Sequence, residues 1–435
     1  MGHPVGLFVL FFTEMWERFS YYGMRALMVL FLVSDINSGG WEWTRVDALK
    51  LYATYTGLAY LTPIFGGMLA DKLLGHRNTV MIGAFLMTLG HASMAFENEI
   101  FFYIGLALLV LGNGAFKPNI STIVGGLYKD DSEKKDSAYT IFYMGINAGA
   151  FLGILLCGYI GEKVGWSYGF GLAGIFMFFG MLQFWFGQGV FGDIGLKPIK
   201  NEVINDDPSL KSLAKKELKR IQLWLFISVA ICCLFRYLLL PLLFDAIEFN
   251  HNQVDLWIPS LLISSGIAFV GYVVTDPDLK GIEKDRVWVI IILSLFTIFF
   301  WMAFEQAGGS MTIFAKDYTN RVLTGNSAVF FLWFNTILTL APLAIVTYVL
   351  ISLFRKTFKE YALSNIFLGT SFVIIWAVAI WMIRNEFKQD VSEVPASWFG
   401  ILNSFFIIAF APLFSKVWES KYNPSANYKY GIGLT

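Results

Sequence analysis

The chain has 435 residues, 56% apolar, 17% aromatic and 15% charged, with 32 Lys+Arg balanced by 32 Asp+Glu. A soluble domain is about a quarter charged, whereas here the apolar residues come in runs of roughly twenty, the length that crosses a bilayer as a helix. This excludes a secreted disulfide scaffold and a disordered chain, and the even charge offers no field to a nucleic acid. The chain reads as an integral membrane protein.

Apolar segments fall near residues 5–33, 48–70, 79–97, 100–127, 137–162, 167–192, 221–244, 254–274, 286–315, 327–354, 361–384 and 396–418, which predicts twelve helical spans. The first carries Glu14, Glu17, Arg18 and Arg25, charges that the apolar region of a signal peptide does not tolerate. The loops 71–77, 129–136 and 197–220 hold two, three and seven Lys/Arg, against Arg45 and Lys50, none, and Lys163 in the opposing loops. The positive-inside bias puts these basic loops and the N-terminus in the cytoplasm. Six spans precede the longest basic linker, which predicts a six-helix N-terminal bundle over 1–194.

In the first span, Glu14, Glu17, Arg18, Tyr21, Tyr22 and Arg25 fall within an arc of roughly 140° at helical spacing. An isolated charge at mid-bilayer costs at least about 2.5–3.5 kcal/mol. Such a face is tolerable where its charges pair and it lines a water-filled cavity. Glu14 and Arg18 stand at i, i+4, the better orientation for an intrahelical pair. Further intramembrane ionisable residues are Lys117, late in the fourth span beside Pro118, whose ring can free a backbone carbonyl to face a cavity, and Glu305, deep in the span 286–315. Arg236 reads as snorkelling or as part of a lipid-facing accessory helix.

Opposite charges on one face point to a zwitterionic or dipolar ligand. Arg18 and Lys117 suit a carboxylate, the first by its fork and the second as a point charge. Glu14, Glu17 and Glu305 can exchange a proton, because desolvation disfavours the charged form of an acid. None of the four histidines is well placed to do so, and His91 reads as a satisfied packing residue on an apolar helix. Cys157, Cys232 and Cys233 read as core filler without metal-ligand spacing. Trp41, Trp43 and Trp166 read as interfacial anchors. No Ser-His-Asp arrangement, metal spacing or phosphate loop argues for an enzyme.

Glu14-x-x-Glu17-Arg18-Phe19-x-Tyr21-Tyr22-Gly23 resembles the ExxERFxYYG signature of the proton-dependent oligopeptide transporters, a branch of the major facilitator superfamily. The run from Gly67 through Asp71 to Arg77 resembles the superfamily's cytoplasmic loop between spans two and three. Phe116-Lys117-Pro118-Asn119 and the run Phe142 to Phe151 resemble the family's span-four and span-five motifs, and Phe304-Glu305-Gln306 and Leu402-Asn403 its seventh and eighth spans.

The resemblance implies an all-α membrane protein that moves di- and tripeptides with protons across the cytoplasmic (inner) membrane, as a monomer and without a cofactor beyond the proton gradient. It makes Glu14, Glu17, Arg18 and Glu305 the proton-coupling groups. Arg18, Tyr22, Tyr60, Lys117, Asn147 and Asn403 line the peptide site, Arg25 and Glu305 form an ion pair closing the outer side, and Gly67, Asp71 and Arg77 belong to the loop motif. Ala53 stands where animal members have a histidine, which indicates the bacterial branch.

By motif register, 396–418 corresponds to span eight. The stretch 195–283 is then the basic linker with two accessory helices, and 284–435 a partial C-terminal bundle interrupted by a further insertion, 327–384. The run Lys429 to Thr435 resembles the opening of span nine, so the resemblance implies a chain cut after span eight, without the span-ten glutamate that grips the peptide amine. Ser404 stands where the family has proline, and Gly400-Ile401 replace its Gln-Ser. Two alternatives keep the fold: another small anionic or zwitterionic cargo such as nitrate, or a peptide sensor that does not transport.

Overall fold

The computed structural model of the chain describes residues 2–128, 132–197, 208–246, 256–389, 391–418 and 424–434. Residues 129–131 of the predicted basic loop, 198–207 of the linker, and Thr435 lie outside them. The chain divides into two compact units, Met1–Pro198 with Gln306–Thr435, and Ile199–Glu305.

The first unit is built on α1 (Val5–Val33), α2 (Arg45–Leu69), α3 (His76–Met94), α4 (Glu99–Gly126), α5 (Ser132–Lys163) and α6 (Trp166–Gly187). Every residue of α1 from Gly6 to Tyr21 is buried. It can sit so deep because α5 meets it with glycines one turn apart: a Cβ on Gly149 or Gly153 would run into the carbonyl oxygen of Met15 or Phe19. Lipid tails are as apolar as leucine, so close backbone packing at small residues is what holds such helices together. On its other side α1 seats Trp16 on Phe176 of α6, the rings stacked 4.6 Å apart. Trp166 is also buried, donating from Nε1 to the carbonyl of Ser38 at 3.0 Å beside Phe31, itself in contact with Trp41 and Phe170. The predicted interfacial anchors Trp41 and Trp166 are therefore parts of an aromatic knot at the ends of α1 and α6.

The expected single span 286–315 is interrupted. Helix α10 (Ile282–Phe304) ends in a turn over Glu305–Gly308, and α11 (Ser310–Tyr318) begins anew. The apolar run of α10 gives way there to Glu305-Gln306-Ala307-Gly308-Gly309-Ser310, with a helix-weakening glycine pair, and Gly308 sits where a Cβ would strike the Tyr52 hydroxyl of α2. Glu305 thus lies at the C-terminal end of the candidate span Ile282–Gly308, and not deep inside a span. Beyond α11, a two-residue strand β1 (Val322–Leu323) leads into α12 (Gly325–Thr357) and α13 (Ala362–Glu386), and β2 (Ser392–Glu393) pairs antiparallel with β1.

A short turn, Ala396–Gly400, opens α14 (Ile401–Trp418) against α5. The Glu162 carboxylate of α5 accepts from the N–H groups of Ala396 and Ser397 at 2.8 and 2.9 Å and from the Ser397 hydroxyl at 2.6 Å. This satisfies donors that a helix start leaves without intrahelical partners. A last helix, α15, covers Ala426–Leu434.

The second unit holds α7 (Pro208–Leu234), α8 (Leu240–Ala246), α9 (Trp257–Val274) and α10. Arg220 of α7 pairs with Asp276 at 3.0 Å just beyond α9 and holds that carboxyl below the usual carboxylate range. Arg236 lies over Trp257, 5.5 Å from the ring centroid, so an aromatic face takes up the charge that snorkelling was expected to carry to the interface. Eight of the described helices are long and apolar enough to cross a membrane; α1, with its four charges, is not among them.

Candidate functional site

The signature on α1 folds into a compact ionic cluster. Arg18 Nε lies 3.1 Å from Glu14 Oε1, the predicted i, i+4 pair, and also meets the Glu17 carboxylate. Glu14, Glu17, Arg18 and Arg25 are 2, 0, 3 and 4% exposed. The expectation that this face opens on a water-filled cavity is therefore corrected. It is covered, because α2 and α4 turn polar groups onto it.

From α4, Asn113 accepts from Arg18 Nη2 at 3.5 Å and donates to the Ala59 carbonyl of α2 at 2.8 Å. Asn113 was not singled out from the sequence, although it stands one turn before Lys117 on the same helix face. Lys117 lies within electrostatic reach of both Glu14 and Glu17, its Nζ 4.6 Å from the centroid of the half-exposed Tyr60 ring. Two carboxylates and two cations thus balance. A buried set of this kind tolerates loss of one member poorly, since the remaining charge has no water to turn to.

Two turns further along α1, Arg25 donates from Nε to the Tyr52 hydroxyl at 2.7 Å and lies over the rings of Tyr22 and Tyr52 at 5.8 and 5.5 Å. Tyr52 is a second residue missed in the sequence. Its sign was the spacing Tyr52, Thr56, Tyr60, one face of α2 over two turns. Glu305 belongs to the Ile199–Glu305 unit, and its pairing with Arg25 stays a proposal.

Of the other predicted binding residues, Asn147 is buried and donates to the Tyr143 carbonyl of its own helix at 2.9 Å. Asn403 is exposed on α14. The carbonyl that Pro118 releases is that of Gly114. It faces Gly66 of α2, where a Cβ would collide with it, so the proline serves a helix contact and not a cavity.

In the loop motif, Gly75 takes φ 78°, and Asp71 lies 3.5 Å from His76. Arg77 donates from Nε to the Ile194 carbonyl at 2.6 Å and from Nη2 to that of Gly192, tying the start of α3 to the chain beyond α6. Gly67 makes no comparably close approach; Gly66 does. His91 is fully buried, and neither ring nitrogen has a hydrogen-bond partner among the described residues, contrary to the satisfied residue expected. Cys157 and Cys232 are buried, as filler should be, but Cys233 is exposed.

Residues 77–392 match the model of the PTR2 or POT family. The chain belongs to the POT family. It is similar to the peptide transporter YePEPT of Yersinia enterocolitica subsp. palearctica, 31% identical over 441 residues, spanning all of this chain and 71% of that protein. A di-/tripeptide transporter of Lactococcus lactis subsp. cremoris is 29% identical over 440 residues, with 73% of its length covered. A crystal structure of peptide transporter POT in complex with sulfate superposes with a TM-score of 0.66 at 28% identity, over all of this chain and 72% of that one. The helical architecture of the major facilitator type, expected from the motifs, is the architecture of these relatives, and the family is one of multi-pass membrane transporters, not enzymes.

Proposed function

We propose that the protein takes up di- and tripeptides together with protons across the inner membrane, as a monomer with its N-terminus in the cytoplasm and with no cofactor. The observation that carries this reading is the buried Glu14–Glu17–Arg18 cluster within reach of Lys117. With both carboxylates ionised the four charges cancel. A proton on either acid leaves a surplus positive charge, which a peptide's C-terminal carboxylate satisfies through the fork of Arg18 or the ammonium of Lys117. Loss of that proton restores the ion pairs and expels the peptide.

Tyr22, Tyr60, Asn147 and Asn403 are the proposed lining of the peptide site, and Arg25 with Glu305 the outer closure. The proposed division is a six-helix bundle over 1–194, a linker with accessory helices over 195–283 and a partial second bundle over 284–435.

The test uses liposomes with an inward-directed proton gradient. Wild type accumulates labelled di-alanine, while Glu14→Gln and Glu17→Gln lose gradient-driven accumulation and keep counterflow. Accumulation that persists in both variants would remove these residues from coupling. Nitrate uptake without competition by di-alanine would overturn the peptide reading.

A further inference from the structure

The segment 325–386 takes no part in the site above. It forms a hairpin of two long helices, α12 and α13, which the chain enters and leaves through one narrow neck. There Val322 pairs with Glu393 and Leu323 with Ser392, and Arg321 donates from Nη1 to the Val394 carbonyl at 2.7 Å. Glu393 ties the neck to the end of α5, 2.9 Å from Lys163 Nζ and 3.1 Å from Arg321.

Past the neck, α13 is fastened to the six-helix bundle at both ends. Ser364 Oγ donates to the Gln183 carbonyl of α6 at 2.7 Å, and Asn385 Nδ2 donates to the Tyr159 hydroxyl of α5 at 3.0 Å. Gln183 in turn accepts from Thr13 of α1 at 2.7 Å and donates to the Val9 carbonyl at 3.1 Å. Midway, the buried Phe372 reaches α1 itself, its ring 5.6 Å from Phe12 and 5.5 Å from Trp16. Phe12 and Trp16 stand on the side of α1 roughly opposite Glu14, Arg18 and Arg25. Apolar matching to lipid does not press a hairpin onto a bundle, so these hydrogen bonds and ring contacts are what seat it.

We propose that the α12–α13 hairpin is a brace of the six-helix bundle, fixed to α6 throughout the transport cycle, and that Phe372, by backing Trp16, positions the charged face of α1. Close-packed interiors transmit such a push: a void opened behind Trp16 lets α1 shift or rotate. Phe372 touches no charged group of the cluster in this arrangement; it is a positioning residue.

The proposal rests on the transport reading, so its test carries one arm that does not. In a background with all three native cysteines changed to alanine, Gly187→Cys and Ser364→Cys are combined. A Cβ at 187 stands 3.5 Å from that of Ser364, within the disulfide range of about 3.5–4.5 Å. A hairpin seated on α6 gives near-complete cross-linking in native membranes, and a yield below about a tenth overturns the proposal.

Oxidised and reduced protein take up di-alanine at rates within twofold of each other. Uptake abolished by oxidation and restored by reductant shows a hairpin that must move, and overturns the brace. Phe372→Ala raises the half-saturating di-alanine concentration at least fivefold with a smaller change in maximal rate, while Phe372→Leu stays near wild type. Equal values for all three proteins sink the positioning role. Should Phe372→Ala not accumulate in the membrane, the cross-link decides. Absence of uptake by wild type counts against the transport reading, and the cross-link yield still tests the brace.

Discussion

Helices α1 and α10 invert the rule of soluble proteins. The first carries four charges along its middle and is buried from Gly6 to Tyr21, whereas the second confines its four, Glu283 to Arg286, to its first turn, continues as a long apolar run and has not one buried residue. In water the apolar helix would be inside. In a bilayer the charged one is, because only other protein groups can satisfy Glu14, Glu17 and Arg18, while lipid suits Phe299 or Ile290 as well as a core does. Position in the structure follows from what each helix cannot leave unpaired.

The contrast is broken most severely by Arg18→Ala. It leaves two buried carboxylates without their guanidinium, a loss of about 3–5 kcal/mol, and we expect little monodisperse protein on size-exclusion chromatography after detergent extraction. Gly66→Ala acts on the same bundle by overpacking: the new methyl meets the Gly114 carbonyl, α2 and α4 must separate, and a cost of about 1–3 kcal/mol lowers the melting temperature by several degrees.

Glu393→Gln, outside the spans, has a smaller and pH-dependent effect. Lys163 beside Glu393 holds its carboxyl below the usual carboxylate range. A lowered native value means stability that is present above the unfolded value of about 4.3 and lost as pH falls through the native one. The carboxylate is partly exposed, so the difference is under about 1 kcal/mol. Melting curves of wild type and variant, separated at pH 7, should converge below pH 4. Phe299→Leu, two-thirds exposed on α10, should change the melting temperature least, by an amount equivalent to about 0.5 kcal/mol or less. A large shift there would mean that α10 is not treated as lipid-facing and would weaken the comparison.

The spans were legible because a bilayer imposes length and apolarity on each one separately. The exception, the break at Glu305–Gly308, is marked locally by Glu305-Gln306 and the pair Gly308-Gly309; what the sequence does not show is that Gly308 packs against the Tyr52 hydroxyl of another helix. The charges of the cluster were legible for the same reason the spans were: each is costly where it stands. Asn113 and Tyr52 were not, since a neutral polar residue in an apolar helix carries no comparable penalty and its partner is a tertiary fact. His91 was misjudged from the same direction. Nothing in its neighbours could announce that two ring nitrogens go unmet.

The carboxylate of Glu162 receives its three donors from residues 396 and 397, at separations of 234 and 235 positions along the chain. At ribosomal speeds of about 5–20 residues per second, the acceptor is made on the order of ten to fifty seconds before its partners exist. Standing at the end of α5, near the membrane surface, it can stay hydrated through that delay. The start of α14 therefore docks late onto a prepared anchor, and the order of synthesis is also the order of assembly.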